Sequence, residues 1–179
     1  MGMRATANCE LMFEDVKIPK ENLLGKEGDG FKICMHLLDV SRIDIGAQAL
    51  GLAQGALDEA IKYSKERKAF GSPICEFEMV QSMLAEMATQ IQAARFLVYY
   101  SAFCKDRGDT RFSKEASMAK WFASETAINA TRKAIQIHGG YGYTKDYKVE
   151  RLYRDAKIME IYEGASEIQK IVIARNILQ

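Results

Sequence analysis

Residues 113–138 have the sequence SKEASMAKWFASETAINATRKAIQIH, with no proline to interrupt a helix. Small apolar residues recur through this stretch at spacings of three and four, the period of one helix face. A face built from alanine lets a second helix axis approach closely. The stripe consists of Ala116, Ala119, Ala123, Ala127, Ala130, Ala134 and Ile137. The stretch therefore predicts one long helix within an up-down helix bundle.

The same helical period extends to both sides of that stretch. It predicts long helices over 31–67 and 77–106, followed by shorter ones over 149–161 and 166–178. The helix over 77–106 carries its own apolar stripe of Met83, Met87, Ile91, Ala94, Val98 and Ala102. The predicted fold class is all-α, a four-helix-bundle-like domain that covers residues 30–179.

Residues 1–29 follow a different pattern. Apolar and polar residues roughly alternate over 9–18 until Pro19, which is typical of one β-strand or two short ones. A lone strand leaves its hydrogen-bonding edges unpaired, and no second convincing strand follows. We therefore expect a short β segment without its partners, joined to the bundle by a glycine-rich loop over 23–30.

Composition excludes several functional classes. The 179 residues suffice for one domain, and the 25 basic and 24 acidic residues leave a net charge of +1. This balance excludes nucleic-acid binding by bulk charge, and a hydrophobic content of 48% excludes a disordered chain. The longest apolar run, 96–103, is too short to span a membrane. We expect a soluble, intracellular protein.

The cysteines and histidines form no motif. No CxxC pair occurs, so the cysteines are expected to be small buried thiols in a reducing compartment. Neither His36 nor His138 has enough potential ligands nearby to predict a metal site. The four cysteines are Cys9, Cys34, Cys75 and Cys104.

A short break with the sequence YEGASE, residues 162–167, separates the last two predicted helices. Gly164 ends one helix, and Ser166 could cap the next. Backbone N–H groups at a helix start suit an anionic or oxygen-rich ligand. Glu163 lies just before them and could act as a general base. The alternative is an exposed glutamate in an ordinary helix–helix turn.

Three other segments could carry chemistry. In QIHGGYGY, residues 136–143, the glycines let the backbone approach a flat ligand, although no strand precedes them as a Rossmann loop requires. Arg67 in ERKAFG could hold a phosphate. The third segment is DVSR, 39–42. The respective alternatives are a glycine helix cap for the first segment and solvated charged faces for the other two.

Glycines also occur inside the first long helix, at Gly46, Gly51 and Gly55. Each costs about 1 kcal/mol relative to alanine in a helix interior. We expect tight packing against another helix at these positions, in preference to contact with a ligand.

Taken together and in order, these blocks resemble the acyl-CoA dehydrogenase flavoprotein family. The matching blocks are GMR, CEL-x-FEDVKIP, DVSR, ERKAFG, QIHGGYGY, RDAKIMEIYEGASEIQ and IVIAR. The resemblance assigns residues 1–29 to the end of a middle β-domain with its linker, and 30–179 to the C-terminal helical domain. The family's amino-terminal helical domain and most of its middle β-domain have no counterpart in this sequence.

The resemblance implies dehydrogenation of acyl-CoA to trans-2-enoyl-CoA with FAD as cofactor. Glu163 matches the base that removes the α-proton, while the β-hydrogen leaves as hydride to the flavin. The backbone N–H of Glu163 would help hold the thioester carbonyl, and Gly164 would line the substrate pocket. Some relatives place the base on the first long helix, and that position is Ser41 in this chain, which cannot act as a base.

The remaining site residues follow from the same resemblance. The segment that lines the CoA channel comprises Asp39, Val40, Ser41 and Arg42. The residues that match FAD contacts are Arg67, Phe70, Gln136, Ile137, His138, Gly139, Gly140, Ala165, Ser166 and Glu167. Of these, the segment 136–140 would reach the FAD of a neighbouring subunit.

The resemblance also implies a role in fatty-acid β-oxidation as a homotetramer or dimer. Electron-transferring flavoprotein would accept the electrons, in the cytoplasm of a bacterium or in the mitochondrial matrix. The alternatives are an acyl-CoA oxidase that uses dioxygen and a non-catalytic helical oligomerisation module. Because two domains enclose the flavin in the family and only one of them is here, this chain by itself is expected to be inactive. It is also expected to be helical, since its long helices bury one another, and oligomeric, since the faces that meet the β-domain and the neighbouring subunit stay exposed.

Overall fold

The computed structural model describes residues 1–109 and 111–179. Its helices are α1 (Gly30–Glu66), α2 (Glu78–Asp106), α3 (Ser113–His138), α4 (Val149–Ala156) and α5 (Ser166–Ile177). Single 3-10 turns occupy Lys20–Asn22, Ile74–Glu76, Gly139–Tyr143 and Lys157–Glu160. The all-α prediction is confirmed. The one helix that differs from its predicted course is the fourth, which changes to 3-10 geometry after Ala156.

Helix α3 is the central element and packs against α1, α2, α4 and α5. Every residue of its predicted stripe is buried, and the α2 stripe is buried from Met87 to Val98. Gly46 on α1 sits where this packing is tightest. A Cβ there would lie 3.3 Å from Val98 Cγ2 and 3.5 Å from the carbonyl carbon of Ala119. The small residues of α3 therefore allow the close approach that the sequence predicts.

The tight helix packing expected at Gly51 and Gly55 of α1 is not observed. A Cβ at Gly51 or Gly55 would meet no atom within 4 Å in the described part of this chain. Both glycines lie along a side of α1 that no described element covers, so the prediction is wrong for them within one chain.

A short hairpin reverses the chain between α1 and α2. Strand β1 (Lys68–Ala69) pairs antiparallel with β2 (Ser72–Pro73). Phe70 and Gly71 form its turn with φ values of 51° and 90°, as a tight two-residue hairpin turn requires. This hairpin was not predicted, because strands of two residues are too short to show an alternating pattern.

The strand predicted over 9–18 is absent from the structure. That segment has no regular secondary structure, and its apolar side chains Leu11, Phe13, Val16 and Ile18 are exposed. A strand needs a neighbour to pair with, and the described chain offers none. Cys9 and Cys34 are exposed rather than buried, because both lie away from the bundle core, whereas Cys104 is buried as expected.

Candidate active site

A strained turn joins the end of the fourth helical segment to α5. Glu163 and Gly164 both adopt left-handed backbone conformations, with φ of 55° and 93°. Such a conformation costs a residue with a side chain about 1–2 kcal/mol. We call residues 162–165 the Glu163 turn. Its conformation persists only where surrounding contacts impose it.

The carbonyl groups of the Glu163 turn accept hydrogen bonds from two buried side chains. Lys120 Nζ, from α3, lies 2.8 Å from the oxygen of Gly164. Gln169 Nε2, from α5, lies 2.8 Å from the same oxygen and 3.1 Å from the oxygen of Glu163. A Cβ on Gly164 would lie only 2.6 Å from Gln169 Nε2. Only glycine therefore fits at position 164 with this set of contacts.

The Glu163 carboxylate faces α1. Ser41 Oγ donates a hydrogen bond to its Oε2 at 2.5 Å, whereas no described residue hydrogen-bonds to Oε1. Tyr162 borders the carboxylate, and burial, together with the nearby Glu163 charge, raises the pKa of this phenol. One carboxylate oxygen is therefore held in place and the other is available to take a proton.

The backbone N–H groups of the Glu163 turn are available to a ligand. Those of Glu163, Gly164 and Ala165 have no hydrogen-bond acceptor among the described residues. They lie immediately before the first turn of α5, where the helix dipole favours negative charge. This arrangement can stabilise an oxygen atom that becomes negatively charged beside the Glu163 carboxylate.

A partly buried ion pair supports the α1 side of the site. Arg42 Nη1 lies 2.6 Å from Asp39 Oδ1, and the hydroxyl of Ser113 donates to the other oxygen of that carboxylate. Arg42 Nε is buried without an acceptor in the described chain. Val40 does not contribute to this ion pair. It packs against a second apolar cluster formed by Ile43, Cys104, Phe112 and Ala116.

Lys120 is the most unusual ionisable group of the site. Its side chain is completely buried. The pKa of Lys120 is lowered from its usual 10.5 to about 8, first by burial and then by the Arg42 charge. These effects outweigh the opposing attraction of Glu160, Glu163 and Glu167.

A second region lies at the junction of the C-terminal ends of α1 and α3. It is an open cavity of about 490 Å³, a size typical of ligand pockets. We call it the aromatic cavity. Its lining residues are Tyr63, Arg67, Ile74, Ile137, His138, Gly139, Gly140, Tyr141 and Thr144.

Stacked rings form one wall of the aromatic cavity. The rings of Tyr63 and His138 are stacked, with centroids 4.1 Å apart. Burial lowers the pKa of His138, an effect that its contact with the Ala134 carbonyl opposes only in part. Nδ1 of this imidazole lies 2.7 Å from that carbonyl oxygen, which can only accept, so Nδ1 carries the proton. The wall is therefore uncharged at neutral pH.

Arg67 supplies the positive charge at the rim of the cavity. Its guanidinium carbon lies 5.6 Å from the centroid of the Tyr141 ring. Among the described residues it has no carboxylate partner, so its donors can bind a ligand. Gly142 makes the adjacent loop possible, because a Cβ there would lie 2.7 Å from the Ile135 carbonyl oxygen.

The aromatic cavity gathers only part of the predicted cofactor set. Arg67, Ile137, His138, Gly139 and Gly140 line it together. Phe70 is fully exposed at the hairpin tip, and Gln136 is exposed on α3 outside the cavity. The remaining three predicted contacts, Ala165, Ser166 and Glu167, lie beside Glu163 at the other region.

One local prediction at that region is wrong. Ala165, and not Ser166, occupies the N-cap position of α5, and Ser166 is the first helical residue. The Ser166 hydroxyl is buried and has no partner in the described chain. A serine one position into the helix cannot cap it, because its backbone is already helical.

Sequence reasoning missed the two side chains that hold the turn. Lys120 is four residues after Ala116 and three before Ala123, so the helical period itself places it on the inward stripe of α3. Gln169 is likewise four residues before the buried Ile173 on α5. Their positions on the inward helix faces indicated that both side chains are buried. The polar residue type pointed the other way, toward solvent.

Comparison with known proteins identifies the group to which this chain belongs. Residues 28–178 match the family model for the C-terminal domain of acyl-CoA dehydrogenase. The chain is 54% identical over its whole length to the acryloyl-CoA reductase (NADH) of Anaerotignum propionicum, of which it covers 45%. It therefore spans less than half of this curated relative.

Solved structures give the same result. Butyryl-CoA dehydrogenase from Megasphaera elsdenii matches with a TM-score of 0.91 and 50% identity, over 93% of this chain and 43% of that one. A chain solved in work on the electron-transferring flavoprotein of Acidaminococcus fermentans matches with a TM-score of 0.92 and 55% identity, over 94% and 44%. The protein described here belongs to the acyl-CoA dehydrogenase family, and its structure is that of the family's C-terminal helical domain.

Proposed function

We propose that this chain is the C-terminal helical domain of a flavin-dependent acyl-CoA dehydrogenase, with Glu163 as the base. One observation carries the proposal. A carboxylate with an available oxygen stands beside consecutive N–H groups that have no acceptor among the described residues. A base next to an oxyanion-stabilising surface is the arrangement needed to abstract a proton α to a carbonyl.

In this mechanism the turn binds the thioester and Glu163 removes the α-proton. The N–H groups of Glu163, Gly164 and Ala165 would donate to the thioester oxygen and stabilise the enolate as charge develops there. Ser41 would hold one carboxylate oxygen, so that the other is aimed at the α-carbon. Arg42 and Asp39 would support this face of α1 at the substrate channel.

The residues of the aromatic cavity fit part of an FAD molecule. The Arg67 guanidinium, which has no carboxylate partner in the described chain, suits a phosphate. Gly139 and Gly140 leave open space beside it for a ring system. Ala165, Ser166 and Glu167 would contact FAD from the side of Glu163. Bound FAD would supply an acceptor for the β-hydrogen, which leaves as hydride. Phe70 and Gln136 would contact the cofactor only from outside this cavity.

The aromatic cavity is proposed to serve a neighbouring subunit. An exposed apolar face on α2, formed by Phe96, Tyr99, Tyr100 and Phe103, offers a surface for a second copy. The exposed apolar residues of 9–18 support the assignment of residues 1–29 to the end of a β-domain. Analytical ultracentrifugation of the full-length protein would test oligomerisation, and a monomer at micromolar concentration would contradict it.

The test of the main proposal is a turnover assay with full-length protein and a panel of acyl-CoA thioesters. We expect oxidation that needs electron-transferring flavoprotein or an artificial acceptor. Rapid turnover with dioxygen alone would favour the oxidase alternative. No turnover and no bound flavin would favour a non-catalytic helical module.

The reverse direction is a second candidate function. It is favoured by the 54% identity to a protein named acryloyl-CoA reductase. Glu163 would then deliver a proton to the α-carbon of a 2-enoyl-CoA, because the same group serves both directions of a proton transfer. Comparing the rate of acyl-CoA oxidation with that of enoyl-CoA reduction in the presence of NADH and electron-transferring flavoprotein would separate the two.

A further inference from the structure

Two buried polar side chains contact the Glu163 turn from the bundle interior. Lys120 and Gln169 have no exposed surface. Lysine and glutamine are mostly exposed in proteins, and a buried ammonium group is costly unless it is paired. Alanine occupies the neighbouring positions of the α3 stripe at Ala116, Ala119 and Ala123. A lysine within such a stripe therefore needs a specific reason.

The contacts of both side chains converge on one feature, the carbonyl groups of the turn. Lys120 and Gln169 both donate to the Gly164 oxygen at 2.8 Å, and Gln169 also donates to the Glu163 oxygen at 3.1 Å. In a trans peptide the C=O and the N–H point in opposite directions. Holding these two carbonyls inward therefore directs the N–H groups of Gly164 and Ala165 away from the bundle.

We propose that Lys120 and Gln169 are positioning residues, which hold the Glu163 turn in its left-handed conformation and so aim the Glu163 carboxylate and the turn's N–H groups at the substrate. This inference rests on the proposed function for its catalytic consequence. The structural part, that these two side chains impose the conformation of the turn, stands on the hydrogen bonds alone.

The strain in the turn explains why such a support is needed. A glutamate with φ of 55° favours other backbone conformations when it is free to adopt them. Gln169 packs so closely on the turn that a Cβ at position 164 would lie 2.6 Å from its Nε2 atom. Loss of either donor would leave a buried carbonyl with fewer partners and allow the peptide to rotate.

The charged groups around Lys120 come from four neighbouring parts of the chain. The positive Arg42 comes from α1, the negative Glu160 precedes the turn, Glu163 is in it and Glu167 is on α5. A lysine with a purely structural role would need only a carbonyl oxygen to accept its hydrogen bond. This one also lies close to the charge of the proposed base, so its loss would change the electrostatic surroundings of Glu163.

The test compares Lys120→Met with wild type in the full-length protein. Methionine retains length and apolar volume but removes the donor. Thr131→Val is the matched control, because Thr131 is also completely buried on α3 but hydrogen-bonds only within its own helix. Gln169→Met is the second variant, so that the proposal stays testable if Lys120→Met does not fold.

Two readouts distinguish positioning from general stability. Hydrogen exchange measured by mass spectrometry should become about tenfold faster in peptides that contain the turn, with little change elsewhere in α3. The reporting amides are those that flank the turn and are hydrogen-bonded, Tyr162 to the Ile158 oxygen and Gln169 to the Ala165 oxygen. The kcat for acyl-CoA oxidation should fall roughly 10- to 100-fold, whereas KM should change less than about threefold. Thr131→Val should show neither effect, even if its melting temperature falls.

Three results would overturn the proposal. The first is unchanged exchange at the turn in both variants. The second is exchange that rises equally along the whole of α3, which would mean that the side chains stabilise the core and not the turn. The third is faster exchange at the turn with unchanged kcat. A wild-type protein without any turnover would instead refute the proposed function, while the exchange data would still decide whether Lys120 and Gln169 hold the turn.

Discussion

The Glu163 turn and the aromatic cavity are built in opposite ways. The turn is narrow and strained, and polar side chains from α1, α3 and α5 hold it through hydrogen bonds. The cavity is wide and open, and stacked rings and backbone glycines shape it. Proton transfer depends on atoms placed to within a fraction of an ångström, whereas a large cofactor gains affinity from area and a few anchoring charges. This difference fits the proposal that the first region performs the chemistry and the second binds the cofactor.

The largest expected effect tests whether the turn performs the chemistry. In Glu163→Gln the side chain keeps its size but cannot accept a proton, so kcat should fall by roughly 10²- to 10⁴-fold. Binding of acyl-CoA, measured by titration, should stay within about threefold because the N–H groups are intact. The control is Glu86→Gln, a surface glutamate on α2 that pairs with Lys133. Near-normal flavin reduction by Glu163→Gln would mean that the base lies elsewhere.

The next effect tests whether the cavity binds a phosphate-bearing cofactor. Arg67→Ala should weaken FAD binding by about 10- to 100-fold, since charged hydrogen bonds contribute roughly 1.5–3 kcal/mol. The measurement is flavin retained after gel filtration, with binding titrations on the apoprotein. Lys65→Ala removes a neighbouring exposed charge and should retain its flavin. Equal flavin content in both variants would remove Arg67 from the cofactor site.

A third experiment asks how strictly the turn is held. Gly164→Ala combines a left-handed alanine with a contact to Gln169, so it should lower the free energy of unfolding by about 1–3 kcal/mol. Gly51→Ala is the matched change where a Cβ meets open space, and it should raise that free energy by up to about 1 kcal/mol. Chemical denaturation of both variants measures the difference. A neutral Gly164→Ala would show that the turn is loose.

The smallest expected effect concerns pH and the cavity wall. Because burial lowers the pKa of His138 below its usual 6.5, the unfolded chain binds more protons than the folded one below that pH. The contribution of neutral His138 to the free energy of unfolding is therefore fully present above pH 6.5. It is lost as the pH falls toward the lower pKa that His138 has in the folded protein. Melting temperatures between pH 8 and 5 should show an acid loss that His138→Gln reduces.

His36→Gln, at the other end of the bundle, is the control for that measurement and should keep the acid-dependent loss. If wild type and His138→Gln lost stability in parallel, the neutral imidazole would not contribute to the cavity wall. The stacking with Tyr63 would then have to be maintained by the charged ring as well.

Much of the fold could be predicted from the sequence because helical period is a local property. The alanine stripe of α3, the helical period on both sides of it and the absence of proline from 20–72 and 74–179 were enough to locate the long helices. The break at 162–167 and the glycine after His138 were equally visible, since glycine marks helix ends. Glu163 could be singled out by its place in that break.

The failures share one cause, which is that burial and pairing depend on what surrounds a segment. The alternating pattern over 9–18 is a real sequence feature, but a strand forms only against a partner. Gly51 and Gly55 have no close neighbour in the described chain, although the same argument was correct for Gly46. Cys9 and Cys34 are exposed for the same reason, because residue type alone does not set burial.

The sequence by itself determined the helices, their inward stripes and the motif blocks that identify the family, since these depend on neighbours along one chain. Only the tertiary structure decided which side chains meet. It divided the predicted site into a turn and a cavity, and it directed Lys120 and Gln169 onto the carbonyls behind Glu163. The hydrogen bond from Lys120 to Gly164 joins residues that are 44 positions apart, and the one from Ser41 to Glu163 joins residues 122 positions apart. Neither contact leaves a local pattern in the sequence. They exist because close packing of α1, α3 and α5 leaves a buried polar group few places to bind.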